Sequence, residues 1–301
     1  MPPEAARARF APHDDLQAQA AAWKSRLDRE GWCVIPGALG RETVGGLSAD
    51  LAERFARTPF CDGEFYGGRT KRFGGVLKRS AHAEAFVMHP LILEIVQQVL
   101  GPFCDRFQLN LTQALQIHPG QDAQPPHRDE DMWGGPKGAM EYLVNVMWPF
   151  GPYTAQNGAT VIYPGSQNGG PGPREPVAAQ MGPGDVMLFL GSTLHGGGAN
   201  VTDRPREGMI VSYSLGWLKP YENQWLVYPP EVARTFSPEL ARMVGYQQHR
   251  PNLGNYEGRC PSVLLRGPVD DYLGAVDDLL PYQQEALARR AASRPPDQAA
   301  A

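Results

Sequence analysis

Hydrophobic residues in the N-terminal third of the chain recur every three or four positions, which is the period of a helix with one apolar face. Leu16, Ala20, Trp23 and Leu27 show this spacing, and Gly31 follows where such a helix ends. The pattern occurs twice more before Gly101. The predicted helices cover residues 13–29, 41–57 and 90–100.

After Gly101 the pattern changes toward an alternation of apolar and polar residues, interrupted by clusters of glycine, proline and asparagine. Several short strands with such turns are typical of a β-sandwich or a jelly-roll barrel. The predicted strands cover residues 32–35, 106–117, 142–148, 159–163, 186–190 and 209–215. Further helical segments are predicted near residues 238–247 and 282–291.

The composition supports a folded, turn-rich protein. The chain of 301 residues contains 34 glycines and 29 prolines, which disfavours a long helical bundle, while 42% hydrophobic and 20% charged residues are ordinary for a globular protein. The net charge of −4, without a block of like charges, gives no reason to expect a nucleic-acid or membrane partner.

The four cysteines are scattered and form no C-x-x-C pair, so reduced thiols in a cytoplasmic protein are the simplest interpretation. The N-terminus lacks the apolar core of a signal peptide, and we expect no uncharged apolar run of transmembrane length.

We expect one domain over residues 1–301, because no linker or internal repeat divides the chain. Its expected parts are flexible tails at 1–11 and 293–301, a mostly helical part at 12–101, a barrel core at 102–228 and a helical extension at 229–292. The segment 58–80 is predicted to be a long loop. Such a loop inside a compact domain is often functional, so we interpret it as a candidate lid.

The segment His127-Arg128-Asp129 carries the first candidate chemistry. Residues two apart on a strand point to the same face, so the imidazole and the carboxylate can aim at one point. His195, in a glycine-rich segment, offers a second imidazole. Two histidines and one carboxylate on one face of a metal form the facial triad of non-haem Fe(II) oxygenases.

The order and spacing of several motifs resemble the phytanoyl-CoA dioxygenase family of Fe(II)- and 2-oxoglutarate-dependent oxygenases, in particular its natural-product branch. The resemblance covers about residues 28–228. Its motifs are Gly31 to Gly37, His127-Arg128-Asp129, Asn157-Gly158-Ala159-Thr160, Pro164-Gly165-Ser166, Gly184-Asp185, His195 to Asn200, and Arg206.

The resemblance implies a mainly β fold, a double-stranded β-helix (jelly-roll, cupin-like) core surrounded by helices. It implies that His127, Asp129 and His195 bind Fe(II), with His127 and His195 as the imidazole ligands. It also implies that Arg206 pairs with the distal carboxylate of 2-oxoglutarate, and that Gln124 and Thr160 make polar contacts near this cosubstrate. A planar, permanently charged guanidinium suits a carboxylate.

The activity implied by the resemblance is oxidation, foremost hydroxylation, of a small and fairly hydrophobic organic substrate. The reaction consumes O2 and converts 2-oxoglutarate to succinate and CO2. Halogenating relatives lack the carboxylate ligand, and Asp129 is present here. A homodimer is a further expectation from the resemblance.

Five residues are candidates for substrate contact. Arg69, Lys71 and Arg72 can hold an anionic group, although a solvated basic loop is an equal alternative. Tyr66 and Trp133 are candidate pocket walls, because small-molecule sites are mostly apolar and aromatic, although such residues are also common in cores.

Two other functions stay open from the residues alone. A zinc- or other metal-dependent hydrolase or isomerase would use His127, Asp129 and His195 with Arg206 anchoring its substrate. A non-catalytic metal- or ligand-binding barrel would bind through the same residues without turnover.

Overall fold

Two antiparallel sheets face each other, and helices cover the outer face of the larger sheet. The computed structural model describes residues 13–167, 172 and 174–293. The helices are α1 (His13–Glu30), α2 (Arg41–Arg57), α3 (Ala83–Val87), α4 (Pro90–Leu100), α5 (Gln224–Val227), α6 (Pro230–Ala233), α7 (Pro238–Met243) and α8 (Pro281–Ala292). The strands are β1 (Trp32–Ile35), β2 (Thr70–Phe73), β3 (Phe107–Ile117), β4 (Leu143–Pro149), β5 (Thr160–Ile162), β6 (Val177–Ala178), β7 (Val186–Leu190), β8 (His195–Gly197) and β9 (Arg206–Leu215).

Short 3-10 helices lie at Val76–Lys78, Gly101–Phe103, Asp129–Met132 and Pro261–Leu265. The segments predicted to be flexible tails, 1–11 and 293–301, lie outside the described residues except for Ser293.

The larger sheet has the strand order β1-β7-β4-β9-β3-β2, and the smaller has the order β6-β5-β8. All strand pairs in both sheets are antiparallel. The two edge strands of the larger sheet, β1 and β2, come from the part of the chain expected to be mostly helical. The sheet therefore extends beyond the predicted core at 102–228.

Side chains along the strands of the larger sheet point alternately to its two faces. One face packs against the helices and the other lines a cavity. In β9, Met209, Val211 and Tyr213 are buried in the core that the sheet forms with the helices. The intervening Ile210 and Ser212 line a cavity on the opposite face. Burying the helix-side residues stabilises the fold by roughly 25 cal/mol per Å² of apolar surface, so this face carries most of the hydrophobic stabilisation.

A smaller hydrophobic cluster lies between the two sheets. Met187 and Phe189 of the larger sheet meet Ile162 of the smaller sheet there. Two facing antiparallel sheets with helices outside confirm the predicted double-stranded jelly-roll fold.

The predicted loop at 58–80 contains an unpredicted strand. Strand β2 pairs with β3 in a register that places Arg72 opposite Leu115. The segment is only four residues long and rich in charge, so its sequence has no apolar alternation that would predict a strand.

One apolar segment, Ala83–Phe103, is long and apolar enough to cross a membrane by length and composition alone. It contains Glu84 and Glu94, so it does not contradict the expectation of no uncharged run of this length. Several of its apolar residues, including Ile92 and Val96, are fully buried in the hydrophobic core. The core helices of water-soluble proteins meet the same criterion.

A tight turn at Gly182–Asp185 connects the strands to the N-terminal part. The Asp185 carboxylate accepts hydrogen bonds from the Gly37 N–H at 3.0 Å and the Gly182 N–H at 2.8 Å. Gly184 has a φ of +99°, and a Cβ at this position would lie 2.7 Å from the Leu39 carbonyl oxygen. Only glycine fits here without strain.

We predict that Gly184→Ala lowers the free energy of unfolding by about 1–3 kcal/mol, the usual cost of a strained backbone conformation. Urea denaturation measures the loss. Gly182→Ala is the matched control, since its Cβ would meet nothing closer than 3.8 Å. Equal stability of the two variants would contradict this account of the turn.

Candidate active site

A cavity of about 350 Å³ opens between the two sheets. Apolar side chains from the larger sheet, among them Leu115, Met147 and Ile210, form much of its wall. Polar and ionisable side chains concentrate in the same cavity. They include all three residues of the predicted triad, together with Arg206.

The structure brings the side chains of His127, Asp129 and His195 together. Each histidine places its Nε2 3.5 Å from a carboxylate oxygen of Asp129, His127 near Oδ1 and His195 near Oδ2. One ligand atom from each residue lies within 4.8 Å of the other two. The arrangement can hold one ion between two imidazoles and one carboxylate.

Two backbone hydrogen bonds join the histidine segments. The His127 N–H donates to the His195 carbonyl at 2.9 Å, and the His195 N–H donates to the His127 carbonyl at 3.0 Å. This bridge is isolated and is not part of a longer strand at His127. It holds side chains from distant parts of the chain next to each other.

The expectation that His127 and Asp129 share a strand is wrong, although their side chains do converge. Asp129 is the first residue of a 3-10 helix. Only Arg128 between them is extended, with φ −117° and ψ 128°. One extended residue is enough to turn its two neighbours to the same side.

The remaining polar contacts orient the three candidate ligands. The His127 Nδ1 lies 2.9 Å from the Pro125 carbonyl, and the His195 Nδ1 lies 3.0 Å from the Thr193 carbonyl. A neutral histidine that donates from Nδ1 presents its Nε2 lone pair, which is the form that binds metals. The Asn145 amide donates to Asp129 Oδ2 at 2.9 Å and fixes the carboxylate.

The electrostatics favour an ionised Asp129 carboxylate beside a neutral His195 imidazole. Burial raises the pKa of Asp129, but the charges of His195 and His127 and the hydrogen bonds from His127 and Asn145 outweigh it, so the net pKa is lowered. Burial also lowers the pKa of His195, against the opposing effect of Asp129. His127 has a raised pKa because its contacts with Asp129 and Pro125 outweigh its own burial.

Arg206 is a buried cation in this cavity. It is only 4% exposed, and its Nε and Nη1 have no hydrogen-bond partner in the part of the chain that the structure describes. Its guanidinium lies 4.2 Å from the ring centre of Tyr153. Burial lowers its pKa, yet a guanidinium stays charged at neutral pH. Unpaired buried donors of this kind need an anionic partner.

The two polar residues predicted near the cosubstrate also line the cavity. The Gln124 Oε1 accepts from the Gly197 N–H at 3.0 Å, while its Nε2 donates to the Phe65 carbonyl at 2.9 Å. Gln124 thereby connects strand β8 to the loop before β2. Thr160 is 5% exposed and faces the cavity from β5.

Of the five candidate substrate residues, Tyr66 and Arg72 line the cavity. Arg72 lies under the Tyr66 ring, 5.0 Å from its centre, and donates to Gln113 Oε1 at 3.1 Å. The Tyr66 hydroxyl makes a short hydrogen bond to the Tyr221 hydroxyl. This tyrosine pair joins the loop before β2 to the segment after β9.

The structure places the other three candidates elsewhere. The Arg69 guanidinium donates to the Pro119 carbonyl at 3.2 Å, and the Lys71 ammonium donates to the Phe55 carbonyl at 2.8 Å. Trp133 stacks on Tyr142 outside the cavity. Adjacent residues of a strand point to opposite faces, so Lys71 and Arg72 cannot both enter the cavity.

Sequence reasoning missed Asn145, Phe65 and Asn110. Asn145 and Asn110 are fully or almost fully buried polar residues on cavity-facing strands, so a polar residue inside a predicted apolar strand was the available signal. Phe65 packs its ring 4.8 Å from the ring of His127. Nothing in its local sequence indicates this contact.

Asn110 holds the segment that carries Tyr221 over the cavity. It lies at a register shift in β3 between Leu109 and Leu111. Its side-chain oxygen accepts from the Tyr221 N–H at 2.7 Å, and its carbonyl accepts from the Glu222 N–H at 3.0 Å. A local bulge in the strand therefore positions one wall of the cavity.

Comparisons with known proteins agree with this geometry. The family model for phytanoyl-CoA dioxygenase matches residues 27–208. The chain is 34% identical to dioxygenase FrzG of Cladobotryum sp over 238 residues, which cover 72% of this chain and 76% of the relative. It is 30% identical to dioxygenase aneA of Aspergillus aculeatus over 241 residues, 73% of this chain and 80% of the relative.

The fold is similar to that of solved enzymes from antibiotic biosynthesis. The non-haem α-ketoglutarate-dependent epimerase SnoN from nogalamycin biosynthesis matches with a TM-score of 0.55 and 20% identity, covering 66% of this chain and 83% of SnoN. A structure of SnoN in complex with Fe3+, α-ketoglutarate and nogalamycin RO matches with a TM-score of 0.54 and 20% identity, covering 66% of this chain and 84% of SnoN.

The jelly-roll fold and the His-Asp-His cluster define a non-haem oxygenase. The chain belongs to the phytanoyl-CoA dioxygenase family of Fe(II)- and 2-oxoglutarate-dependent enzymes, as the resemblance predicted.

We predict that Asn145→Ala weakens Fe(II) binding by about 10- to 100-fold, the usual effect of removing a hydrogen bond that orients a metal ligand. Anaerobic Fe(II) titration followed by tryptophan fluorescence measures the affinity. Ser212→Ala is the control, because Ser212 lies opposite Asn145 in the sheet and bonds to Asn110. An equal loss in both variants would show a general effect on the cavity.

Proposed function

We propose that this enzyme uses Fe(II), 2-oxoglutarate and O2 to oxidise a small, mainly hydrophobic organic molecule, foremost by hydroxylation. 2-Oxoglutarate is converted to succinate and CO2. The observation that carries the proposal is the combination in one cavity of the His127-Asp129-His195 cluster and the unpaired cation Arg206.

The residues present fit these cofactors. Two imidazoles and one carboxylate on one side of an ion leave positions for a chelating keto acid and O2. When bound, the iron would activate O2, and 2-oxoglutarate would supply two of the four electrons that reduce O2 while the substrate supplies the other two.

In this proposal the protein holds the ligands in the correct form. The carbonyls of Pro125 and Thr193 keep protons on the Nδ1 atoms, so that Nε2 of His127 and His195 is free for the metal. Asp129 supplies the negative charge, and Asn145 prevents its carboxylate from rotating away.

Arg206 binds the distal carboxylate of 2-oxoglutarate in this proposal. Its planar guanidinium can donate two parallel hydrogen bonds to the carboxylate, and burial strengthens them. In this proposal Gln124 and Thr160, which line the same cavity, contact the cosubstrate.

Arg72 is a second, partly buried cation in the cavity. Its Nε has no hydrogen-bond partner among the described residues. Arg72 lines the same cavity as the metal cluster and Arg206. We propose that Arg72 pairs with an acidic group bound near the metal, on the cosubstrate or on the substrate.

The shape and chemistry of the cavity support a hydrophobic substrate. Leu111, Met132 and Phe65 line it beside the metal cluster, and the Tyr66–Tyr221 pair adds aromatic surface. The epimerase SnoN and the carbocyclase SnoK have a similar fold, yet their names describe reactions other than hydroxylation. Product analysis therefore decides between hydroxylation and desaturation, epoxidation or endoperoxide formation.

The alternatives of a hydrolase, an isomerase or a binding barrel have less support, because FrzG and aneA are dioxygenases. A cytoplasmic location remains a proposal supported by four free cysteines. A homodimer remains a proposal from the family resemblance.

We predict a weak visible charge-transfer band when Fe(II) and 2-oxoglutarate are added to the protein without O2. His195→Ala should abolish the band, because a ligand is lost. Arg206→Ala should raise the 2-oxoglutarate concentration for half-maximal absorbance at least about tenfold, since a hydrogen bond to a charged group contributes about 1.5–3 kcal/mol. Absorbance titration under argon measures both effects.

Arg204→Ala is the matched control, because Arg204 is exposed and lies two residues from Arg206. It should leave the titration unchanged. Asp129→Ala should abolish succinate formation. A protein that binds divalent metal but never shows the band would contradict the oxygenase function and favour the hydrolase or the binding barrel.

We predict that Arg72→Gln weakens binding of one anionic partner, again by at least about tenfold. If the partner is 2-oxoglutarate, the 2-oxoglutarate concentration for half-maximal absorbance of the band rises. If the partner is an acidic substrate, the band titration is unchanged and the KM for that substrate rises. Arg69→Gln is the control, since Arg69 does not line the cavity. No change in either constant would refute an anion-binding role.

A further inference from the structure

A second cleft, also of about 350 Å³, lies outside the catalytic cavity. One side is formed by the start of β3 and the residues after β9. The other side is formed by α5 and the segment 244–254. No part of the proposed oxidation needs this cleft.

The walls of the cleft are largely apolar and partly exposed. Trp217, Trp225 and Leu253 have exposed fractions of 40%, 48% and 49%. The Trp217 indole N–H already donates to the Phe103 carbonyl at 3.1 Å, and that of Trp225 donates to the Gly245 carbonyl at 3.1 Å. The indoles therefore offer the cleft apolar ring surface.

Glycines keep the space beside Trp225 open. Gly245 and Gly254 have φ values of +98° and +72°, and a Cβ at Gly245 would lie 2.9 Å from the Trp225 Nε1. Larger residues at these positions would be strained and would fill space beside the ring.

The polar groups of the lining suit an uncharged ligand. Among the cations of the lining, Arg106 pairs with Asp105 at 3.4 Å and Arg242 pairs with Glu239 at 2.8 Å, while Lys219 is exposed to solvent. Gln248 is 3% exposed, and its Nε2 has no hydrogen-bond partner among residues 13–167, 172 and 174–293. This amide can serve a ligand carbonyl or hydroxyl.

The register of β9 places the cleft on the far side of the metal cluster from Arg206. Asn145, which holds Asp129, lies opposite Ser212. Arg206 precedes Ser212 by six residues, whereas Gly216, in the lining of the cleft, follows it by four. At about 3.4 Å per residue, the cleft begins roughly 14 Å along the strand from the level of the metal.

The two cavities share neighbouring stretches of chain. Gln108 of β3 lines the cleft and Asn110, two residues on, lines the catalytic cavity. The same holds after β9, where Pro220 lines the cleft and Tyr221, the next residue, lines the catalytic cavity.

We propose that this cleft binds the distal, uncharged apolar part of an elongated substrate whose reacting carbon lies at the metal cluster. The inference rests on the proposed function, because that function is the reason to expect that the ligand of the cleft is a substrate. It implies a polycyclic or long-chain molecule that extends roughly 14 Å beyond the reacting carbon, the distance given by the strand spacing.

The test uses the full chain and the uncharged probe N-phenyl-1-naphthylamine, whose emission rises in apolar surroundings and which accepts energy from tryptophan. We expect one saturable site with energy transfer in the wild type. Leu253→Trp, which fills the cleft from its rim, and Trp225→Ala, which removes a wall, should each weaken probe binding at least tenfold.

Leu226→Ala is the matched control, because Leu226 is 77% exposed in the same helix α5 and does not line the cleft. It should bind the probe as the wild type does. The anaerobic band with Fe(II) and 2-oxoglutarate should be unchanged in Leu253→Trp, and its absence in wild type would refute the proposed function without deciding whether the cleft binds the probe.

Once a substrate is identified by succinate formation, its KM should be at least tenfold higher in the Leu253→Trp variant than in the wild type. For substrates too short to reach the cleft, the KM should be the same in both. Unsaturable probe binding, equal binding in all three variants, or an unchanged KM would overturn the proposal. Sedimentation could also overturn the proposal. If the wild type is a dimer and the Leu253→Trp variant is a monomer, the cleft is a subunit interface.

Discussion

The two backbone hydrogen bonds between His127 and His195 are the constraint on which the site depends. They join segments far apart in the chain and place both imidazoles on one side of the bridge, where Asp129 meets them. Backbone hydrogen bonds are directional and hold their residues at fixed separation. The metal cluster is therefore organised by the main chain, and side-chain contacts only select the tautomer and the rotation of each ligand.

The larger sheet separates stability from chemistry. Its outer face buries branched and aromatic residues against the helices, so the inner face can carry Asn145, Ser212 and Arg206 without loss of the main core. Buried polar groups are costly unless they are paired. Asn145 is paired with Asp129, whereas Arg206 retains unpaired donors that lie where a ligand would bind.

The walls of the cavity come from irregular chain. Tyr66 lies in the loop before β2 and Tyr221 in the segment after β9, and their hydroxyls meet over Arg72. Loops position functional groups when a rigid element fixes their ends. Here β2 fixes one end and the bulge at Asn110 fixes the other.

The sequence by itself determined the longer helices, most strands, the family and the three candidate metal ligands, because periodicity and motif spacing are local properties. The short helices α3, α5 and α6 were not predicted. Only the tertiary structure decided which basic residue enters the cavity, that Trp133 lies outside it, and that Asn145 and Asn110 hold the site. These outcomes depend on strand register, which decides the face of every side chain. Register is set by pairing between distant segments, and the sequence of the short charged strand β2 does not indicate which strand it pairs with.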